Sequence, residues 1–188
     1  MKSLQPIFST ITLLLFLYSQ TALADSGFYL GWEAGTNRIE IDGEFTFTGR
    51  PVEADVFSAA VAGGYRWPNN FVIEGGISAG TGDFLFGAFD DYSTSKYELL
   101  LGYQLNITEG FTIVPKFGIS DWDLTAREGR FLNPGPEDQV SFGGQDAIAQ
   151  LDIGLELGNG LILSLSHERY KAEYGEYQSS RFSMKWQF

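Results

Sequence analysis

The sequence predicts an all-β chain folded as an eight-stranded antiparallel transmembrane up-and-down β-barrel. Three observations carry that expectation. Eight segments alternate apolar and polar residues, the connections between them alternate in length, and the last segment stops on an aromatic residue. A strand that crosses an outer membrane sets apolar residues against lipid and polar ones against the lumen. It needs roughly 9–11 residues when tilted, and eight is the smallest even strand count in such barrels.

In chain order, Phe28, Leu30, Trp32 and Ala34 alternate with Tyr29, Gly31, Glu33 and Gly35. Phe57, Ala59, Val61, Tyr65 and Trp67 alternate with Ser58, small residues and Arg66. Phe71, Ile73, Ile77 and Ala79 alternate with Glu74, Gly76 and Ser78. Tyr97, Leu99, Leu101, Tyr103 and Leu105 oppose Lys96, Glu98, Gly102 and Gln104. Ile113, Pro115, Phe117 and Ile119 oppose Thr112, Lys116, Gly118 and Ser120. Leu151, Ile153, Leu155 and Leu157 oppose Gln150, Asp152, Gly154 and Glu156, and Leu161, Leu163 and Leu165 oppose Ser164, Ser166 and Glu168. In the last segment Phe182, Met184, Trp186 and Phe188 share one face and Arg181, Ser183, Lys185 and Gln187 the other. Pro115 is the misfit. Proline removes a ladder donor and favours edges or bulges, so a local distortion is expected there.

Trp67-Pro-Asn-Asn70, Asn106-Ile-Thr-Glu-Gly110 and Gly158-Asn-Gly160 read as tight turns. The other connections are long, about 36–53, 81–94, 121–146 and 169–178. Outer-membrane barrels place short turns in the periplasm and long loops outside, which puts both termini in the periplasm. Trp32, Trp67, Tyr103, Trp186 and Phe188 sit where interfacial aromatic girdles would lie.

Residues 1–24 read as an export signal. Lys2 is its positive end, 7–18 its apolar stretch and Ala22-Leu23-Ala24 its cleavage site, leaving 25–188 as one barrel domain. Without Lys2 the chain has 11 basic against 24 acidic residues, a balance that argues against a nucleic-acid partner. The absence of cysteine excludes disulfides and thiol chemistry. No cofactor and no metal site is indicated, and no stretch has EF-hand spacing.

Parity assigns Glu33, Glu74, Glu98, Asp152, Glu156 and Glu168 to the lumen with Arg66, Lys96, Lys116, Arg181 and Lys185. An eight-stranded barrel is only wide enough to be filled by side chains, and an uncompensated charge inside it is costly. The expectation is an interior ion-pair network that plugs the barrel. The alternative is a narrow ion-conducting, porin-like lumen. With a filled lumen, function passes to the acidic loops and the outer wall. The loop acids are suited to solvation and to contact with the divalent cations that bridge lipopolysaccharide phosphates. Ile39 to Thr48 reads as a hairpin turning at Asp42-Gly43. Its edges could pair with an extracellular protein ligand.

Catalysis finds little support. The one histidine, His167, has lipid-facing parity, the adjacent Ser166 points to the opposite face, and Arg169 stands where a His-x-Ser lipid A deacylase would have its serine. His167 and Arg169 read instead as interfacial residues touching lipid headgroups.

Tyr97-Glu-Leu-Leu-Leu-Gly-Tyr103 and Lys116-Phe-Gly-Ile-Ser-Asp-Trp-Asp123 resemble the membrane domain of the outer membrane protein A family, and the terminal strand resembles the β-signal read by the barrel-assembly machinery. The chain stops at its eighth segment. It is therefore similar to the minimal barrels of the X/Ail type, and the resemblance implies a non-enzymatic role in adhesion, serum resistance or envelope integrity. A lipid A-modifying enzyme is the weakest alternative.

Overall fold

The computed structural model describes residues 26–45, 52–83, 91–127, 139–172 and 175–188; the expected export signal lies outside them. The strands are β1 Gly27–Ile41, β2 Val52–Arg66, β3 Phe71–Asp83, β4 Asp91–Tyr103, β5 Leu105–Thr108, β6 Phe111–Arg127, β7 Gln139–Glu156, β8 Leu161–Ala172 and β9 Gly175–Gln187. Chain neighbours pair antiparallel except β4 and β5, which both pair with β6; β1 pairs with β9, and the β4–β6 pairing closes the ring. β4 and β5 are one barrel strand, since Gly102 opposite Lys116 and Leu105 opposite Ile113 keep one register. The barrel therefore has eight strands.

The gap between β4 and β5 explains Pro115. The β6–β7 register runs through Pro115 opposite Leu151 without a bulge, so the expected distortion lies on one side only. On its other side the ladder stops between Gly102 and Leu105, where proline has no N–H to offer. The Gln104 N–H donates instead to the Asn70 carbonyl at 2.9 Å.

Two of the tight turns are built alike. The Trp67 N–H donates to Phe71 O and the Asn70 N–H to Trp67 O; Leu157, Leu161 and Gly160 repeat both bonds. The residue before each returning strand is left-handed, Asn70 at φ 67° and Gly160 at φ 78°. Asparagine and glycine tolerate that conformation best. The third turn is shorter than expected, because β5 runs to Thr108 and leaves only Glu109 and Gly110.

At the other end the strands run well past the expected loop boundaries. β1 continues to Ile41 and β7 begins at Gln139, so Arg38, Glu40, Glu53, Asp121, Asp123, Asp146 and Glu176 stand on strands. The expected hairpin at Asp42-Gly43 is replaced by a 3-10 turn over Gly43–Phe45. Ile39 to Ile41 pairs with β2 on one side and β9 on the other, so it offers no free edge. Thr46 to Thr48, and Asn133-Pro-Gly-Pro136, lie outside the described residues.

The extension works because the amphipathic pattern inverts. Toward the turn end the outward side chains are apolar: Phe28, Leu30, Phe71, Leu99, Leu101, Phe117, Ile119, Leu165 and Trp186 are all exposed. Toward the loop end the outward positions become Thr36, Arg38, Asp55, Ser95, Asp121, Asp123, His167 and Ser180. There the interior is apolar instead, with Ile39, Ile41, Val56, Leu100, Leu124, Ile148, Tyr170, Ala172 and Tyr177 buried together. The lower barrel is built for hydrocarbon and the upper for water.

Candidate functional site: the lumen and the outer wall

The belt of exposed apolar side chains encloses a charged lumen. Lys116 donates to Glu74 Oε1 and Asp152 Oδ2, each at 2.6 Å. Lys185 donates to Glu74 Oε2 at 2.7 Å and lies 3.0 Å from Glu33 Oε1. Tyr29 gives its hydroxyl to Glu74 at 2.9 Å, and Gln150 donates to Asp152 at 2.7 Å. One tier nearer the loops, Lys96 Nζ holds Glu168 at 2.6 Å and Glu98 at 2.7 Å. Arg181 reaches Glu168 at 2.7 Å, Glu33 at 3.2 Å and Glu98 at 3.5 Å. Glu33 thus joins the tiers, taking Arg181 on one oxygen and Lys185 on the other.

These nine charged residues form one connected cluster from β1, β3, β4, β6, β7, β8 and β9, and every one is buried. β2 contributes no charge at this level. It turns the small residues Ser58, Ala60 and Ala62 inward and leaves room for the long side chains opposite. Gly31 does the same beside Lys185, whose Cα and Cγ would lie 2.6 Å from any Cβ placed there.

Arg66 and Glu156 stand apart as a second ion pair at the turn end. Arg66 also donates to Gln104 at 2.7 Å and Gln187 at 2.6 Å. A layer of Tyr29, Val72 and Val114 separates this pair from the cluster. All eleven charges assigned to the lumen by parity point inward, but they make two groups. Parity set Gln104, Gln150, Tyr29 and Gln187 on the same inward faces, but the expected network of charges did not include these neutral connectors.

The free space agrees with a filled bore. A cavity of about 40 Å³ lies beside Tyr29, Glu74 and Lys116, and one of about 30 Å³ lies under the apolar cap. A single water needs on the order of 10–15 Å³ by the same measure, so each holds a few waters at most. A polar vestibule of about 500 Å³ opens at the turn end and is floored by Arg66 and Glu156.

On the outer wall, His167 faces outward as its parity indicates. Its Nδ1 lies 3.0 Å from Ser180 Oγ across the β8–β9 ladder. Alternation along one strand does not reveal this partner, because His167 and Ser180 meet only through the β8–β9 register. A hydrolytic pair needs its base oriented by a third group, and no carboxylate among the described residues hydrogen-bonds this imidazole. His167 and Ser180 each pair with strands on both sides, so the sheet's N–H groups around them serve ladders.

Of the terminal-strand residues, Phe182 and Trp186 are exposed on the belt, Met184 and Phe188 half-buried. Aromatic pairs ring the turn end, including Phe71–Tyr103 at 5.3 Å and Tyr65–Trp67 at 5.1 Å.

Residues 9–188 match the profile of a family described as the outer membrane protein beta-barrel domain. No curated protein matches the chain. Among solved structures, Neisserial surface protein A is similar with a TM-score of 0.66 and 10% identity, over 87% of this chain and 98% of that one. Ail, the attachment invasion locus protein of Yersinia pestis, gives 0.60 and 12%, over 87% and 97%. The N-terminal β-barrel domain of Pseudomonas aeruginosa OprF gives 0.52 and 16%, over 87% and 99%. At such identities the likeness is one of fold.

Proposed function

The chain belongs to the outer membrane protein β-barrel family, and from that premise we propose that it acts as a closed, non-enzymatic barrel that supports the bacterial outer membrane and presents its loop end to the outside. The buried nine-residue cluster carries this reading. It fills the bore at the level of the apolar belt, where the cavity beside Tyr29, Glu74 and Lys116 has room for a few waters. The turns and both ends of the barrel chain then face the periplasm, following the usual asymmetry of such barrels. Residues 1–24 serve as the export signal, and Phe182, Met184, Trp186 and Phe188 as the strand face read by the assembly machinery.

The loop end is the surface offered to partners. Ail has been crystallised with the heparin analogue sucrose octasulfate. That polyanion suits this chain poorly, because its described loop-end surface carries Glu40, Glu53, Asp55, Asp121 and Asp123. A protein ligand with a basic surface fits better, alongside lipopolysaccharide at the membrane edge.

Planar-bilayer recording of the purified, folded barrel tests closure. A silent bilayer is expected, and steady conductance from the wild-type barrel would return the reading to a narrow channel. Deleting residues 46–51 or 128–138 and scoring cell adhesion and detergent sensitivity tests the envelope role. Both deletions behaving as wild type in both assays would remove its support.

A further inference from the structure

The outer wall above the apolar belt is not uniformly acidic. Its described exposed cations are Arg38, Arg169 and Lys171. Arg38 is held by Glu53 at 2.8 Å and approaches Asp55 at 4.0 Å, with Glu40 opposite Glu53, so that corner is negative. On β8 the balance reverses. His167, Arg169 and Lys171 follow one another at every second position on the outward face, and the only carboxylate facing them from β9 is Glu176. β7 sets the small Ala149 opposite Arg169.

The height of this stripe is fixed by what lies beneath it. Leu165, 63% exposed, is the last apolar residue on the outward face of β8, while Leu151 lies opposite His167 and Phe182 two residues below Ser180. Arg169 and Lys171 follow at two-residue steps of about 6–7 Å along the strand. The stripe therefore starts where hydrocarbon ends. Arg169 is also pre-positioned: Nε and Nη2 engage the two oxygens of Glu176 at 2.7 and 3.0 Å, and Gln178 steadies that carboxylate at 2.7 Å. Nη1 remains for another acceptor. The Ser180 bond uses Nδ1 of His167 and leaves Nε2 for the same layer.

We propose that His167, Arg169 and Lys171, with the Ser180 hydroxyl, form a binding face for the phosphorylated headgroup of an outer-leaflet lipid. A guanidinium and an ammonium beside the one donor that the His167–Ser180 hydrogen bond leaves over form a phosphate-binding set, and long cationic side chains reach naturally from an apolar wall to a headgroup layer. The inference rests on the outer-membrane reading above and adds which side of the barrel the lipid selects.

The test uses the mature barrel folded into phosphatidylcholine vesicles containing phosphorylated lipid A, dephosphorylated lipid A or neither. Heat-modified gel mobility reports folding, and the thermal midpoint reports lipid binding. Phosphorylated lipid A should raise the wild-type midpoint, and R169Q/K171Q should lose the rise while R38Q keeps it. Dephosphorylated lipid A and added inorganic phosphate should produce none. The face is overturned if the double variant keeps the rise, or if either control lipid condition or inorganic phosphate reproduces it. Failure of the wild type to fold in any vesicle would sink the membrane reading itself, and this inference with it.

Discussion

Lys116 and Glu74 stand 42 residues apart in the chain, yet their charged atoms meet at 2.6 Å with both side chains at most 3% exposed. Neither charge could stay there alone. Removing one partner of a buried pair typically costs about 3–5 kcal/mol, because the other is left uncompensated. Lys116→Ala is therefore expected to lower urea resistance of the lipid-embedded barrel by that order. An unchanged midpoint would mean that the cluster does not hold the barrel together.

Glycine positions give a finer test of how tightly the lumen is filled. A Cβ at Gly31 would fall 2.3 Å from the Met184 carbonyl oxygen and 2.6 Å from Cα and Cγ of Lys185. Gly31→Ala should cost on the order of 1–3 kcal/mol through overpacking. A Cβ at Gly75 meets nothing nearer than the Glu98 carbonyl at 3.8 Å, so Gly75→Ala should be neutral or mildly stabilising by restricting the unfolded chain. If both substitutions behave alike, crowding of the bore is not what distinguishes them.

The apolar cap predicts a local failure. Leu124 is 1% exposed among Ile39, Val56 and Ile148, and Leu124→Ala should cost about 2–5 kcal/mol for a buried cavity. Since the cap lies above the belt, limited proteolysis should cut near the loop end first while the belt strands stay protected. Uniform protease resistance would argue against a separate upper core.

His167 and Ser180 invite a direct check on chemistry. Mass spectra of lipid A from cells expressing wild type and Ser180→Ala should be the same. A deacylated species that appears with wild type and vanishes with the variant would make the pair a catalytic one.

Hydrogen bonds from Arg169 and then Gln178 hold the Glu176 carboxyl below its ordinary value of 4.5. A carboxylate depressed in the folded state contributes its stabilisation above the unfolded value and loses it as pH falls through the folded one. The Arg169–Glu176 link should therefore persist at neutral pH and release only in acid below 4.5. Carboxyl NMR of Glu176 should titrate below that value in wild type and move up in Arg169→Gln. Titration at or above 4.5 in wild type would show that the link does not form in solution.

Parity made the lumen legible, because one buried face at period two fixes which side every residue takes. Glu33, Glu74 and Arg181 could be placed inside from spacing alone. Strand ends were harder. Beyond Ala34 the outward residues turn polar, which reads as a loop, although Asn37, Ile39 and Ile41 continue the inward parity of Glu33 and turn apolar. The inversion was present in the sequence but looks like the loss of a pattern. Contacts across strands were not legible. Ser180 meets His167 only through the β8–β9 register, which residue-by-residue alternation leaves open. Pro115 announced a distortion but not its side: the missing donor interrupts one ladder and spares the other.

The inward charges have a consequence before the barrel exists. An exported chain must pass the inner membrane as an extended polypeptide, and a run of about 18 or more apolar residues would be held there as a helix. β7 spans 18 residues from Gln139 to Glu156, and Gln145, Asp146, Gln150, Asp152 and Glu156 break it into short apolar pieces. The side chains that later close the bore thus also keep the segment in transit.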